Sequence, residues 1–264
     1  MNKVIRAEFG RTINAGLIIA IAGIIFSICF DSFNDLIAGL RNGQGYVGYF
    51  FSNAAFGGMC TKYMLPVFTA LPFSVSLCQE RNNKAVSYIV SREGKNRYIF
   101  AKFIVSAISG GFVAVCGTVL LFLMLAMRFP IAGDEFEGAV VSDYFHEWSA
   151  VYYPQLYILT LSILAFCRGV VWSSLALCVS LYTSDFMVVL LSPFLGSYVL
   201  VRIFQIIRVP DMVRPDMILI GQVVIKSSGL TLIIAIAISL TIVTLIGAFF
   251  VGKIKEGLKS GTIY

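Results

Sequence analysis

The chain has 264 residues, 58% of them hydrophobic and 13% charged, with a formal net charge of +6 and a mean hydropathy of +0.88. That balance excludes an ordinary soluble domain and marks an integral membrane protein. The basic excess lies at the edges of apolar blocks, so it reads as membrane topology, and no nucleic-acid partner is expected.

The apolar blocks are long enough to cross a bilayer as helices of about 20 residues. Helices are expected because they satisfy their own backbone groups in lipid. The expected fold is therefore all-α: one polytopic transmembrane domain, residues 1–264, with six spans and both termini inside, in the plasma membrane of a bacterium.

Residues 1–12 combine Val4, Ile5 and Phe9 with Lys3, Arg6, Glu8 and Arg11, the pattern of an amphipathic segment lying along the inner surface. The first span, 13–30, has no small-x-small site ahead of the polar Asp31–Asn34 stretch and is expected to remain as an uncleaved anchor. The second, 62–77, carries Pro66 and Pro72, which predicts a kinked helix packed inside the bundle and extended outward by the apolar, aromatic residues 46–60.

A polar loop, 79–102, leads to the third span, 103–127, where Gly110 and Gly111 predict close approach of backbones. Beyond it, residues 129–150 hold Asp134, Glu135, Glu137, Asp143 and Glu147 without a Lys or Arg, among Phe136, Tyr144, Phe145 and Trp148. That composition predicts an outer segment resting at the membrane surface. The fourth span, 154–182, is followed by the turn Thr183-Ser184-Asp185, the fifth span, 186–204, and the sixth, 229–251. The 79–102 loop and the tail at Lys253, Lys255 and Lys259 carry much of the Lys and Arg, which places both inside.

Chemistry is sparse. The chain has no Gly-x-x-x-x-Gly-Lys-Ser/Thr phosphate loop, no His-Glu-x-x-His and no Gly-x-Ser-x-Gly, so no catalytic residue, metal or cofactor is expected and the chain is not expected to be an enzyme. The single histidine, His146, reads as an ordinary surface residue. The six cysteines read as small apolar packing residues; only Cys29 and Cys60 fall near the outer face, and spacing leaves their pairing open. Arg168 is the one charge deep in an apolar run, which makes it the intramembrane site candidate, and its neighbours Gly169, Ser173, Ser174 and Ala176 suit close helix packing.

The loop between spans two and three runs from Glu80 through a short helical stretch to Ser91-Arg92, then Tyr98, then Lys102 at the opening of the third span. With the amphipathic N-terminus, the small outer loops and Pro193-Phe194 in span five, this layout resembles the permease subunit of an ABC-2-type transporter. The resemblance covers nearly the whole chain. It implies that two permease chains, identical or different, pair around a translocation path, and that two cytoplasmic ABC ATPase subunits dock beneath. It also implies that Ala85, Val86, Tyr88, Ile89 and Val90 form the apolar face of a coupling helix whose charged rim is Arg81, Lys84 and Arg92, with Glu80 holding its entrance through Arg81, Arg92 or a backbone amide. Small permeases of this type suggest export of amphipathic or antimicrobial peptides, or immunity to them. The alternatives are an ATP-independent secondary transporter, which would be expected to carry acidic residues at mid-span where this chain has none, and an accessory membrane scaffold.

Cysteine labelling in intact cells should place residues 82–97 and 253–264 inside and residues 131–149 outside. Labelling of 82–97 from the outside would overturn the orientation.

Overall fold

The computed structural model describes residues 2–42, 58–131, 153–221 and 227–260, together with Val47, Phe50, Phe51, Val223 and Ile225. Among these, the regular elements are helices and no strand occurs. The acidic segment 132–152, with His146, lies outside the described residues.

The amphipathic segment forms α1 (Asn2–Thr12), and the first apolar block forms α2 (Ala15–Asp31). Asn14 separates them, its side chain accepting the Leu17 amide at 3.1 Å, so α2 begins with a proper N-cap. The two helices meet at 59°. A short helix, α3 (Phe33–Asn42), follows.

The expected second span is not one helix. Residues 62–77 fall across α4 (Met59–Tyr63), α5 (Leu65–Ala70) and the start of α6 (Ser76–Asn82), with a series of turns over 71–75. Pro66 sits in the first turn of α5, where its missing N–H costs nothing, and Pro72 stops α5 from continuing. The segment is nonetheless interior: Leu65, Pro66, Val67, Thr69 and Ala70 are all buried. The irregular backbone is thus covered largely by protein, as lipid requires.

After α7 (Val86–Glu93) come the long helices α8 (Lys95–Ala126) and α9 (Pro154–Val179), then α10 (Phe186–Ile207), a 3-10 turn (Asp211–Val213), α11 (Pro215–Ile220) and α12 (Ser228–Ser260). Among the described residues, four stretches are long and apolar enough to cross a membrane: Lys95–Ala126, Gln155–Val179, Phe186–Ile207 and Ser228–Gly257. The bent pair α1–α2 makes five if it counts as one span. The helix that carries the expected third span, 103–127, starts at Lys95, and the one that carries the expected sixth, 229–251, continues to Ser260.

Burial divides these helices. The apolar windows of α8 and α9 are 56% and 61% buried, those of α10 and α12 only 22% and 11%, so the first pair is the centre and the second pair the rim. The centre is held by close backbone approach. A Cβ on Gly169 would run into the backbone of Gly110 and Gly111, and one on Gly110 would strike Ser173 and the Gly169 carbonyl. Ser74, Ser106 and Ser173 add a buried polar seam: Ser74 Oγ lies 3.1 Å from Ser106 Oγ and donates to the Ser173 carbonyl at 3.0 Å. Small residues with interhelical hydroxyl bonds are what lipid-embedded packing favours, since tails are as apolar as side chains.

Gly169→Ala should lower stability by about 1–3 kcal/mol, the usual cost of overpacking, read as a lower thermal midpoint in detergent. Gly252→Ala, where nothing lies within 4 Å of the added methyl, should be neutral or slightly stabilising.

Candidate functional site

At one end of the bundle, Lys102 on α8 is fully buried. Its ammonium donates to Glu80 Oε1 at 2.6 Å, to Glu8 Oε2 at 3.0 Å and to Ser76 Oγ at 3.3 Å. Arg11 Nη1 donates to the same Glu80 oxygen at 2.5 Å and lies 3.4 Å from Glu8. The Tyr98 hydroxyl donates to Glu80 Oε2 at 2.6 Å. The ammonium also stands 4.8 Å from the centre of the Phe73 ring. Two carboxylates thus face two cations, and formal charge cancels within the cluster.

This arrangement corrects one expectation. Glu80 does not hold the helix entrance through Arg81 or Arg92; it turns inward to Lys102, Arg11 and Tyr98. Glu8, within the amphipathic segment, is 4% exposed and joins α1 to α8. Burial on its own would raise the Glu80 carboxyl, but the Lys102 charge, with the hydrogen bonds from Lys102, Tyr98 and Arg11, outweighs it and holds the group below its ordinary value.

Arg81 is half-buried and bonds within the chain. Its guanidinium reaches the carbonyls of Ser180 at 3.0 Å, Leu181 at 3.2 Å and Thr183 at 3.4 Å, just past the end of α9. A cation there satisfies carbonyls that the helix leaves open and faces the negative end of its dipole. Asn82 Nδ2 adds a bond to the Ser184 carbonyl at 3.1 Å. α6 therefore grips α1 and α8 with one side chain and the α9–α10 turn with two others.

The passage from α6 to α7 is equally fixed. Lys84 takes φ of 52°, its N–H bonds the Arg81 carbonyl at 3.0 Å, and the Ala85 N–H bonds the Glu80 carbonyl at 2.9 Å. These are the two bonds of a Schellman closure, with lysine where glycine is usual. At the far end, Gly94 at φ 85° turns α7 into α8, a conformation that disfavours a side chain.

α7 itself is split by its surroundings. Val86 is fully buried against Leu77, Tyr98, Leu177 and Phe250, with Ile89 and Val90 partly buried against the same cluster. Tyr88 is 74% exposed, and Ser87, Ser91 and Arg92 are exposed with it. Of the expected apolar contact set, Tyr88 is the residue that faces fully outward; Val86 belongs to the core, and Ala85 is half-buried.

Arg168 lies near the middle of α9 at 7% exposure, and its Nη2 donates to the Thr61 carbonyl at 2.8 Å. Thr61 is held in place by Asp31, whose carboxylate accepts the amides of Cys60 at 3.1 Å and Thr61 at 2.6 Å at the start of α4. Among the described residues no carboxylate forms an ion pair with Arg168. No group of three His, Cys, Asp or Glu is placed to hold a metal there either, and all six cysteines, Cys29 and Cys60 included, are free thiols.

The sequence carried a signal for part of the charge cluster. Tyr98, Lys102, Ser106 and Gly110 recur every four residues on α8, one polar and small stripe that faces protein. Glu8 and Arg11 carried no comparable sign, because a short amphipathic helix reads the same whether it lies on lipid or on protein. Comparison with protein-family models, curated proteins and solved structures gave no match.

Lys102→Met should cost roughly 3–5 kcal/mol, since it leaves buried carboxylates under-compensated. The double variant Glu80→Gln/Lys102→Met should cost less than the sum of the two single changes, measurable as coupling in a double-mutant cycle. Because Glu80 is held low in the folded protein, its contribution is present above the ordinary carboxylate range and is lost as pH falls through the folded value. Thermal stability should therefore fall at acid pH less steeply in Glu80→Gln than in wild type.

Proposed function

We propose that this chain is the membrane-spanning permease subunit of an ATP-binding-cassette exporter, with six crossings, both termini in the cytoplasm, and α7 as the coupling helix received by separate ATPase subunits. The observation that carries the reading is the mounting of α7: one side offers Tyr88 and Arg92 outward, the other is seated on the core, and both ends are fixed by positive-φ turns. Force applied at Tyr88 passes through the Lys84 closure to α6. From α6 it reaches α8 through Glu80 and Lys102, α1 through Arg11, and the α9–α10 turn through Arg81. A lever joined at once to several helix feet suits the rigid-body tilting by which transporters alternate access.

In this reading residues 62–77 make the second crossing as a broken segment sheltered inside the bundle, and Glu80 lies beyond its inner end. The exposed apolar faces of α10 and α12, including Leu195, Ile206, Ile233 and Leu245, contact the lipid bilayer and a second permease chain, identical or different. Amphipathic or antimicrobial peptides are the proposed cargo, on the resemblance alone. Nothing in the site favours ion-driven transport: the buried acids Glu8 and Glu80 sit at one end of the bundle, already balanced by cations, and not at mid-span.

Tyr88→Ala should weaken association with the ATPase about tenfold or more, as expected for an aromatic anchor, and should abolish export while leaving the thermal midpoint unchanged. Ile89→Asp should lose both coupling and stability, because Ile89 is half-buried; Lys84→Ala should cost under about 1 kcal/mol of association. The purified chain alone should neither bind nor hydrolyse ATP. Wild-type association and export for Tyr88→Ala at matched membrane levels, or tight ATP binding by the isolated chain, would refute the reading.

A further inference from the structure

Arg168 borders two cavities. The larger, about 140 Å³, is walled by α9, α10 and α11 with Ile242 of α12, and Lys62 stands in the same wall. The smaller, about 50 Å³, is bounded by Arg168 and Thr61. Each exceeds the roughly 10–15 Å³ that one water needs.

Charge in these walls is unbalanced. Asp216 is the acid lining the larger cavity, and it is already taken by Arg214, at 2.8 Å through Nη2 and 3.3 Å through Nε. Among the described residues neither Arg168 nor Lys62 forms an ion pair. Arg168 has five N–H donors and, among the described residues, one hydrogen bond, to the Thr61 carbonyl. Thr61 Oγ1 is buried and has no hydrogen-bond partner among the described residues. A guanidinium so far inside an apolar helix is costly unless something anionic or water-filled meets it.

Apart from Asp216 and Ser197 the rest of the larger wall is apolar, with Val171, Trp172, Leu175 and Leu200 lining it beside the two cations. A free inorganic anion would lose its hydration there and gain nothing from those side chains. An anion attached to a hydrocarbon chain satisfies both parts of the wall. We propose that the Arg168 cavity binds the anionic headgroup of a membrane amphiphile, a phosphate- or carboxylate-headed lipid, with Arg168 and Lys62 on the headgroup and the first part of its chain along Trp172, Leu175 and Leu200. The site stands on the cavity and its charges and is independent of the ATPase reading.

The test uses the full chain purified in a neutral detergent, with phosphatidylglycerol and phosphatidylcholine as lipid probes counted by native mass spectrometry. Wild type should retain phosphatidylglycerol through delipidation, about tenfold more than phosphatidylcholine, and Arg168→Gln should lose that preference while Arg168→Lys recovers part of it. Leu200→Trp fills the apolar wall and leaves Arg168 in place, so it should also reduce retention and guards against misfolding of the charge variants. Dodecyl phosphate should raise the thermal midpoint of wild type, and inorganic phosphate at the same concentration should not. Equal phosphatidylglycerol retention by wild type, Arg168→Gln and Leu200→Trp would overturn the proposal, as would equal protection by inorganic phosphate.

Discussion

Lys102 extends from the first part of α8 into a fully buried position, and burying an ammonium there costs several kcal/mol before any partner is counted. Glu80 and Glu8 offset that cost only if both stay within hydrogen-bond reach, and each belongs to a different part of the chain. The requirement therefore fixes α1 and α6 against α8 together. Arg11 closes the charge balance from α1, and Tyr98 takes the remaining Glu80 oxygen from one turn below Lys102 on the same helix. The cluster is weak as a source of net stability, because apolar residues of similar volume would pack as well. Its value lies in allowing one arrangement of three elements and penalising the others.

Above this cluster the centre of the bundle depends on a different constraint. Helices in lipid gain little from hiding apolar surface from one another, so α8 and α9 hold together by backbone proximity at Gly110 and Gly169 and by the serine seam beside it. The chain over Met59–Ala70 meets that centre as two short helices, α4 and α5. It sets Pro66 where no amide is needed, and Asp31 supplies acceptors for the first amides of α4. Placing α4 in this way also places the Thr61 carbonyl against Arg168. The cavity charge and the broken segment are thus parts of one arrangement.

The two ends of the molecule then differ in kind. At the α7 end, charges are paired, turns are closed and helices are tied to one another, which suits the transmission of movement. Around Arg168, cations outnumber available anions and apolar walls enclose open volume, which suits the reception of a ligand. A coupling site should be stiff and already satisfied, whereas a binding site should hold unsatisfied groups in reserve.

Composition and block length were enough to establish an all-helical chain with helices long enough to cross a membrane, because lipid forces the backbone to pair within each segment. They were also enough to single out Arg168, since a charge in an apolar run stands out without coordinates. The glycine and serine positions of α8 and α9 were legible for the same reason: small residues in a lipid-embedded helix have few other uses. Tertiary structure alone decided that Glu80 turns inward and Arg81 caps α9, and that Val86 is core while Tyr88 is surface. Those outcomes depend on which side chains meet across 20 to 100 residues of sequence, as Glu80 meets Lys102 and Arg81 meets Ser180. Local pattern cannot carry that information, because an amphipathic helix or a basic loop has the same sequence whether its polar side faces water or a buried countercharge.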